Sequence, residues 1–263
     1  MGKRFAIALV TAAALAALNG SPYNPVALSA QYINHPDPKT PRLANGKANM
    51  TAPAPRLADG HVDLNGLWNA VDGRFLTDLS KRSGVTAPFT PWGAAQFKER
   101  QDTLGRDRPA GRCLPHTIPD AMLVPNYPWK LIQTPTEVII LFENFTQFRQ
   151  IFTDGRGFPQ TMEPTWFGYS LGSWDGDAFV VDTEGFNDKA WLDDGGHPRS
   201  EQMHTTERFR RKDFGHLEID FTFNDPKAYT QPWTVTVPFE LIPDSDIIEN
   251  ICENEKDVAH ILK

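Results

Sequence analysis

The stretch SEQMHTTERFRRKDFGHLEIDFTF, Ser200 to Phe223, decides the fold. Its second half alternates without a break. Leu217, Ile219, Phe221 and Phe223 fall on one side, and Glu218, Asp220 and Thr222 on the other. A period of two is the signature of a half-buried strand. The first half matches it less cleanly, with Met203, Thr205, Glu207 and Phe209 set against His204, Thr206, Arg208 and Arg210. KDFG, residues 212–215, supplies the turn, so the segment reads as a hairpin with one apolar face. That register puts Glu207 on the inner face and Glu201 at its entry. A slip of one residue would reverse both sets.

A carboxylate on an inner face is costly unless it is paired or neutral. An unpaired buried carboxyl is pushed toward the pKa range useful for general acid–base work. Glu207, or Glu201, is therefore a candidate base. In the acid–base reading Arg149 is the orienting cation; the competing reading is an ion pair of the carboxylate with an inward arginine, for which Arg149 is again the candidate because Ile151 shares its side.

The same pattern extends outward. EVIILFE (137–143) and TQFRQIFT (146–153) read as a hairpin, as do TWFGYSLGSW (165–174) and DAFVVDT (177–183) across Asp175-Gly176. WTVTVPFEL (233–241) alternates from Trp233 to Leu241, and Pro238 on its other face marks an edge or bulge. Short antiparallel strands at close spacing imply an all-β fold. It would be a meander closed as a lipocalin-like barrel, or a β-sandwich, over residues 63–263. One helix is expected at 91–103, capped by Thr90 with Pro91 in its first turn. Residues 105–129 are broken by Pro109, Pro115, Pro119, Pro125 and Pro128. His116 lies there and His35 lies in the earlier proline-rich stretch, and both read as exposed loop residues.

The chain opens with Lys3 and Arg4 and an uncharged apolar run from Phe5 to Leu18. That run is too short to span a bilayer and reads as a signal peptide, residues 1–30, with an exported product in the periplasm or outside the cell. Residues 31–62 form a proline-rich arm or linker in which PRLANG (41–46) is echoed by PRLADG (55–60). Loss of the leader, whose only charges are Lys3 and Arg4, takes the net charge from −7 to −9. An acidic chain without basic runs argues against nucleic acid as a partner, and no later segment is apolar enough to span a membrane. The two cysteines, Cys113 and Cys252, suit a disulfide in an exported chain, with two separate buried thiols as the alternative.

The remaining chemistry gathers in the loop before the deciding hairpin. Residues 184–199 carry Trp191, Asp193, Asp194 and His197. A long loop over a barrel mouth reads either as a lid that clamps a substrate and moves a proton, or as a surface loop turned by Asp and Gly. His197 is its candidate acid. A metal site would use His197, Glu201, His204 and Asp193, and would need the loop to bend, because strand alternation sends 201 and 204 to opposite faces. No other cofactor is implied. Trp166, Gly168, Ser170, Gly172 and Trp174 share a strand face, where the small residues leave room either for a ligand or for close packing. Trp166, Tyr169, Trp174 and Trp191 are the candidate walls for a ring-bearing molecule.

DGRGFP, PTWFGYSLGSWDGDAFVVDTEGFND, WLDDGGHPRSE, ERFRR and DPKAYTQPWTV together cover most of 150–240. They resemble a family of exported bacterial proteins from which no catalytic residue carries over. The NGLW opening and the meander resemble the lipocalin-type calycin barrels at the level of fold. That likeness implies small-molecule carriers, or metal-independent lyases and isomerases. The expectation is an exported enzyme using acid–base chemistry (lyase, isomerase or hydrolase) on a small, partly apolar ring-bearing molecule in the barrel. The alternatives are a non-catalytic binding protein of the same shape, a metal-dependent enzyme using the 193–204 loop, and an interaction module whose contact is the arm.

Overall fold

A computed structural model describes residues 34–252. The expected leader and residues 253–263 lie outside the described residues. Nine strands close into one barrel in chain order: β1 (Gly66–Ala70), β2 (Trp129–Gln133), β3 (Glu137–Phe142), β4 (Gln147–Phe152), β5 (Tyr169–Asp175), β6 (Ala178–Glu184), β7 (His204–Arg211), β8 (His216–Asn224) and β9 (Trp233–Leu241). Trp68 opposite Leu241 and Ala70 opposite Phe239 close the ring. The deciding hairpin forms in the expected register, with Glu207 opposite Phe221 and Phe209 opposite Ile219. Thr205, Glu207 and Phe209 are buried while His204, Thr206 and Arg208 alternate outward.

Two details differ from the simple meander. The turn between β5 and β6 is Gly176-Asp177, one residue later than expected, because Asp175 pairs with Ala178. β4 and β5 run parallel, with a short ladder that pairs Ile151 with Ser170 and Phe152 with Leu171. A parallel neighbour needs the chain to travel back along the barrel. Residues 153–168 make that return. Gly168 ends it at φ +66°, where an added Cβ would lie 2.5 Å from the Glu184 carbonyl.

Aromatic rings fill the barrel. Trp68, Trp129, Phe179, Phe209, Phe221 and Phe223 are all 0% exposed, with Trp129 edge-on to Phe239 at 5.3 Å. A void large enough for water would leave its walls some accessible surface, so these rings pack against one another. Gly172 serves that packing. A Cβ there would meet the Phe179 ring at 2.5 Å, so the space left by the small residue holds a core side chain.

The strand register sorts the connections by end. The last residues of β1, β3, β6 and β8 and the first of β2, β4, β5, β7 and β9 share one rim. Every helix leaves from this rim: α1 (Arg74–Thr77), α2 (Leu79–Arg82), α3 (Pro91–Asp102) and α4 (Asp120–Leu123). So do the long segments 185–203 and 225–232. Thr90 caps α3 by accepting from Gly93 N, as expected. The opposite rim carries the tight turns and the arm. There each copy of the PRLxxG motif folds alike: Arg42 and Arg56 each reach the carbonyl four residues on (Gly46, Gly60) and grip a distant carboxylate, Asp244 and Asp177. Cys113 and Cys252 form the disulfide, tying the helical rim to the C-terminal segment across a separation of 139 residues. Among the described residues no helix is long and apolar enough to cross a membrane.

Candidate active site

The inner-face carboxylate is paired. Arg149 on β4 donates to both oxygens of Glu207 on β7, at 2.7 and 2.8 Å, and also to Ser170 Oγ and Thr183 Oγ1. Arg149 is 2% and Glu207 0% exposed. A bidentate guanidinium–carboxylate pair in which every guanidinium nitrogen has a partner is a closed arrangement that leaves no nitrogen free for a substrate. Glu201 is not on the inner face. A turn closed by Met203 N to Ser200 O precedes β7 and leaves Glu201 exposed. His204 faces outward beside Asp182.

The 185–203 loop is ordered by Asp193. Its Oδ1 accepts Gly196 N and His197 N, and its Oδ2 accepts Leu79 N and faces His197 Nδ1 at 2.7 Å. Gly196 sits at φ +95°, which an L side chain rarely adopts. His197 is fully buried among the Phe89, Phe97 and Trp233 rings, and its Nε2 meets Ser80 Oγ at 3.1 Å. The order Ser80–His197–Asp193 is that of a nucleophilic triad, but the hydrogen count speaks against one. Ser80 Oγ has one proton and donates it to Asp78 Oδ1 at 2.9 Å. That proton is directed to a carboxylate and not to the imidazole, so Ser80 is not set as a nucleophile for His197 to activate. His197 thus clasps the loop to α2.

Of the four expected metal ligands, the structure brings His197 and Asp193 together, with Asp78 as the third member. One ligand atom from each lies within 4.8 Å of the others. Glu201 and His204 stand apart because the turn and the strand send them elsewhere. The expected aromatic walls also have separate settings. Tyr169 meets Phe152 in a tilted ring contact, Trp174 stacks on His61 at 4.5 Å, and Trp191 lies under Arg100. Trp166 precedes β5, and its carbonyl accepts from Arg199.

A second acid–base group forms in a stretch whose prolines predict exposed loop residues. His116 is 6% exposed and Asp120 7%, correcting the expectation for His116. α4 begins at Asp120, one helical turn after His116, and Nδ1 of His116 meets Asp120 Oδ2 at 2.7 Å. The Phe145 ring lies 4.9 Å from the imidazole. Asp194 feels the charges of Asp120, Arg108, His116 and its neighbour Asp193, and is bound by Arg108. Burial, with Asp120 adding to it, pushes the Asp194 carboxyl up to about 6. Asp120 Oδ1 and Asp194 Oδ1 are buried with no hydrogen-bond partner. Glu143, 1% exposed on the same rim, is raised by burial and has a buried, unpartnered Oε1.

Arg199 lies beneath this group. It donates to Thr117 Oγ1, the Trp166 carbonyl and Asn187 Oδ1. The group therefore draws on the 105–123 segment, the 185–203 loop and the chain entering β5, all at the helical rim. The sequence held one local signal for it, the His-x-x-x-Asp spacing of 116 and 120, which mirrors Asp-x-x-x-His at 193 and 197. Two clefts lie elsewhere. One of 460 Å³ is lined by Arg74, Thr77, Asp78, Lys81 and Arg82, and one of 560 Å³ lies between the arm and the end of β9. No protein-family model matches the chain, and no curated protein matches it.

Proposed function

We propose that the protein is an exported enzyme that moves protons on a small, partly apolar molecule at the helical rim of the barrel. The observation that supports this is the His116–Asp120–Asp194 group, in which two buried carboxylate oxygens lack partners and one carboxyl is held near pH 6. Unpartnered buried acceptors cost free energy without helping the fold, and carboxyls tuned toward neutrality cluster at active sites. Asp194 takes the role of base. His116, oriented through Nδ1 by Asp120, presents Nε2 as the acid. The Phe145 ring beside His116 supplies an apolar wall. Export is supported by the basic start, the short apolar run and the disulfide. The reaction class is proton transfer, as in a lyase, an isomerase or a hydrolase.

The test is a panel of small ring-bearing acids, esters and ketones followed by proton NMR in D2O. The wild type should convert a panel member or exchange its protons, and Asp194→Asn should slow this by roughly a hundredfold or more. Equal rates in the two proteins would sink the assignment. A compound retained unchanged by the wild type would favour a carrier instead.

A further inference from the structure

Arg199 is a buried cation without a counter-ion. It is 1% exposed, and no carboxylate lies within 4.0 Å of its guanidinium among the described residues. Its Nη atoms donate to a hydroxyl, a carbonyl and an amide at 3.0–3.3 Å. Its Nε has no partner. The face of the guanidinium lies over the Phe186 ring at 4.8 Å. The other buried arginines are satisfied. Arg149 holds Glu207, and Arg211 donates to the carbonyls of Asp63, Asn65, Asp213 and Phe214.

The position is also fixed. Tyr229 OH donates to the Pro198 carbonyl on one side, and Asp225 accepts from Ser200 N and Oγ on the other. The carboxylates whose charge reaches Arg199 are Asp120, Asp188 and Asp225. Asp225 is occupied by Ser200 and Lys227, Asp188 is exposed, and Asp120 faces His116. Desolvating a guanidinium without a contact ion pair is expensive, and a clamped loop that maintains it is preorganised for an anion.

We infer that the substrate carries a carboxylate that pairs with Arg199 through its free Nε, beside His116 and Asp120. This rests on the proposed acid–base site. It gives that site a substrate class, a small ring-bearing carboxylic acid, with the anion on Arg199 and the reacting atom toward Asp194. Arg199 is 1% exposed, so binding requires the rim to open, and the Arg108–Asp194 pair, with Arg108 39% exposed, is the surface contact that this opening breaks.

The experiment is a titration of the wild type with benzoate, cyclohexanecarboxylate and the uncharged benzamide, following the arginine Nε–H signals by nitrogen-15 NMR. The Arg199 signal is the one lost in Arg199→Met. At least one of the two acids should move it, benzamide should not, and Arg199→Met should weaken binding of the acids roughly tenfold or more. Benzamide binding as well as the acids, or neither acid moving the signal, would overturn the inference. Binding needs no turnover. Benzoate seated on Arg199 together with unchanged turnover in Asp194→Asn would reject the acid–base roles while keeping the anion site.

Discussion

Two arginines, Arg149 and Arg199, are equally buried and differently treated. Arg149 sits on a strand inside the barrel, where every guanidinium nitrogen finds a carboxylate or a hydroxyl. Arg199 sits on a loop at the rim, where Nε finds nothing and no carboxylate touches it. A strand facing a packed core leaves no room for a ligand, so a charge there must be answered by the protein itself. A loop clamped on both sides by Tyr229 and Asp225 can hold a charge that something else answers. Burial alone therefore does not mark a site in this fold. The unmet donor or acceptor does.

Removing Glu207 separates the two arginines most strongly. Glu207→Leu leaves Arg149 buried and uncompensated and should cost about 3–5 kcal/mol in urea unfolding. The double variant with Arg149→Leu should recover most of that loss, because two apolar chains of similar volume suit the surrounding rings. No recovery would mean that the pair holds the β4–β5 seam by geometry and not only by charge. The disulfide comes next. Cys113→Ser with Cys252→Ser should lower stability by about 2–5 kcal/mol, since the bond closes 139 residues and anchors the segment that carries His116. A smaller loss, with the thermal midpoint unmoved, would show that the rim holds that segment without it.

Much of the fold is legible in the alternation of Leu217 to Phe223 and of Trp233 to Leu241, because a face packed on a core forces period two. The Arg149–Glu207 pair is legible for the same reason: strand register fixes which residues share the interior. The parallel seam is not, since residues 153–168 carry no pattern that tells a return from a loop. The site is least legible. His116 lies among prolines that look like surface, and its burial comes from the rim elements folding over it. Asp193 and Asp194 are adjacent and chemically alike. Only the folded loop gives them different partners, His197 for Asp193 and Arg108 for Asp194.

Asp194 sharpens the comparison through pH. Its carboxyl is raised from 3.8 to about 6, so the folded state binds a proton more tightly than the unfolded chain. Its contribution to stability is greatest below about pH 4 and is lost as the pH rises through 6. Asp194→Asn should therefore match the wild type near pH 4 and exceed it near pH 7. The gap should be about 1–2 kcal/mol, less than the full shift implies because the side chain is partly solvated beside Arg108. Denaturant unfolding at the two pH values measures it. A gap that widens toward low pH would put the charge, not the neutral acid, in the native state. The deprotonation that destabilises the fold is the one a base needs, so turnover should rise across the same interval.

The smallest effect is expected where the comparison is most direct. Arg199→Met removes a guanidinium as buried as that of Arg149, yet stability should stay within about 1 kcal/mol of the wild type. Three hydrogen bonds from a charged donor to neutral acceptors are lost, at about 1.5–3 kcal/mol each, and Thr117 Oγ1 and Asn187 Oδ1 lose a donor. Against this, an unpaired charge no longer has to be desolvated, and a flexible thioether can fill the space over Phe186. Arg149→Met, measured under the same conditions, should fall by about 3–5 kcal/mol because Glu207 is left behind. Equal losses at the two positions would mean that Arg199 is a structural cation whose distant carboxylates suffice. Unequal losses, with Arg199→Met near neutral, separate a residue that the fold needs from one that the fold tolerates.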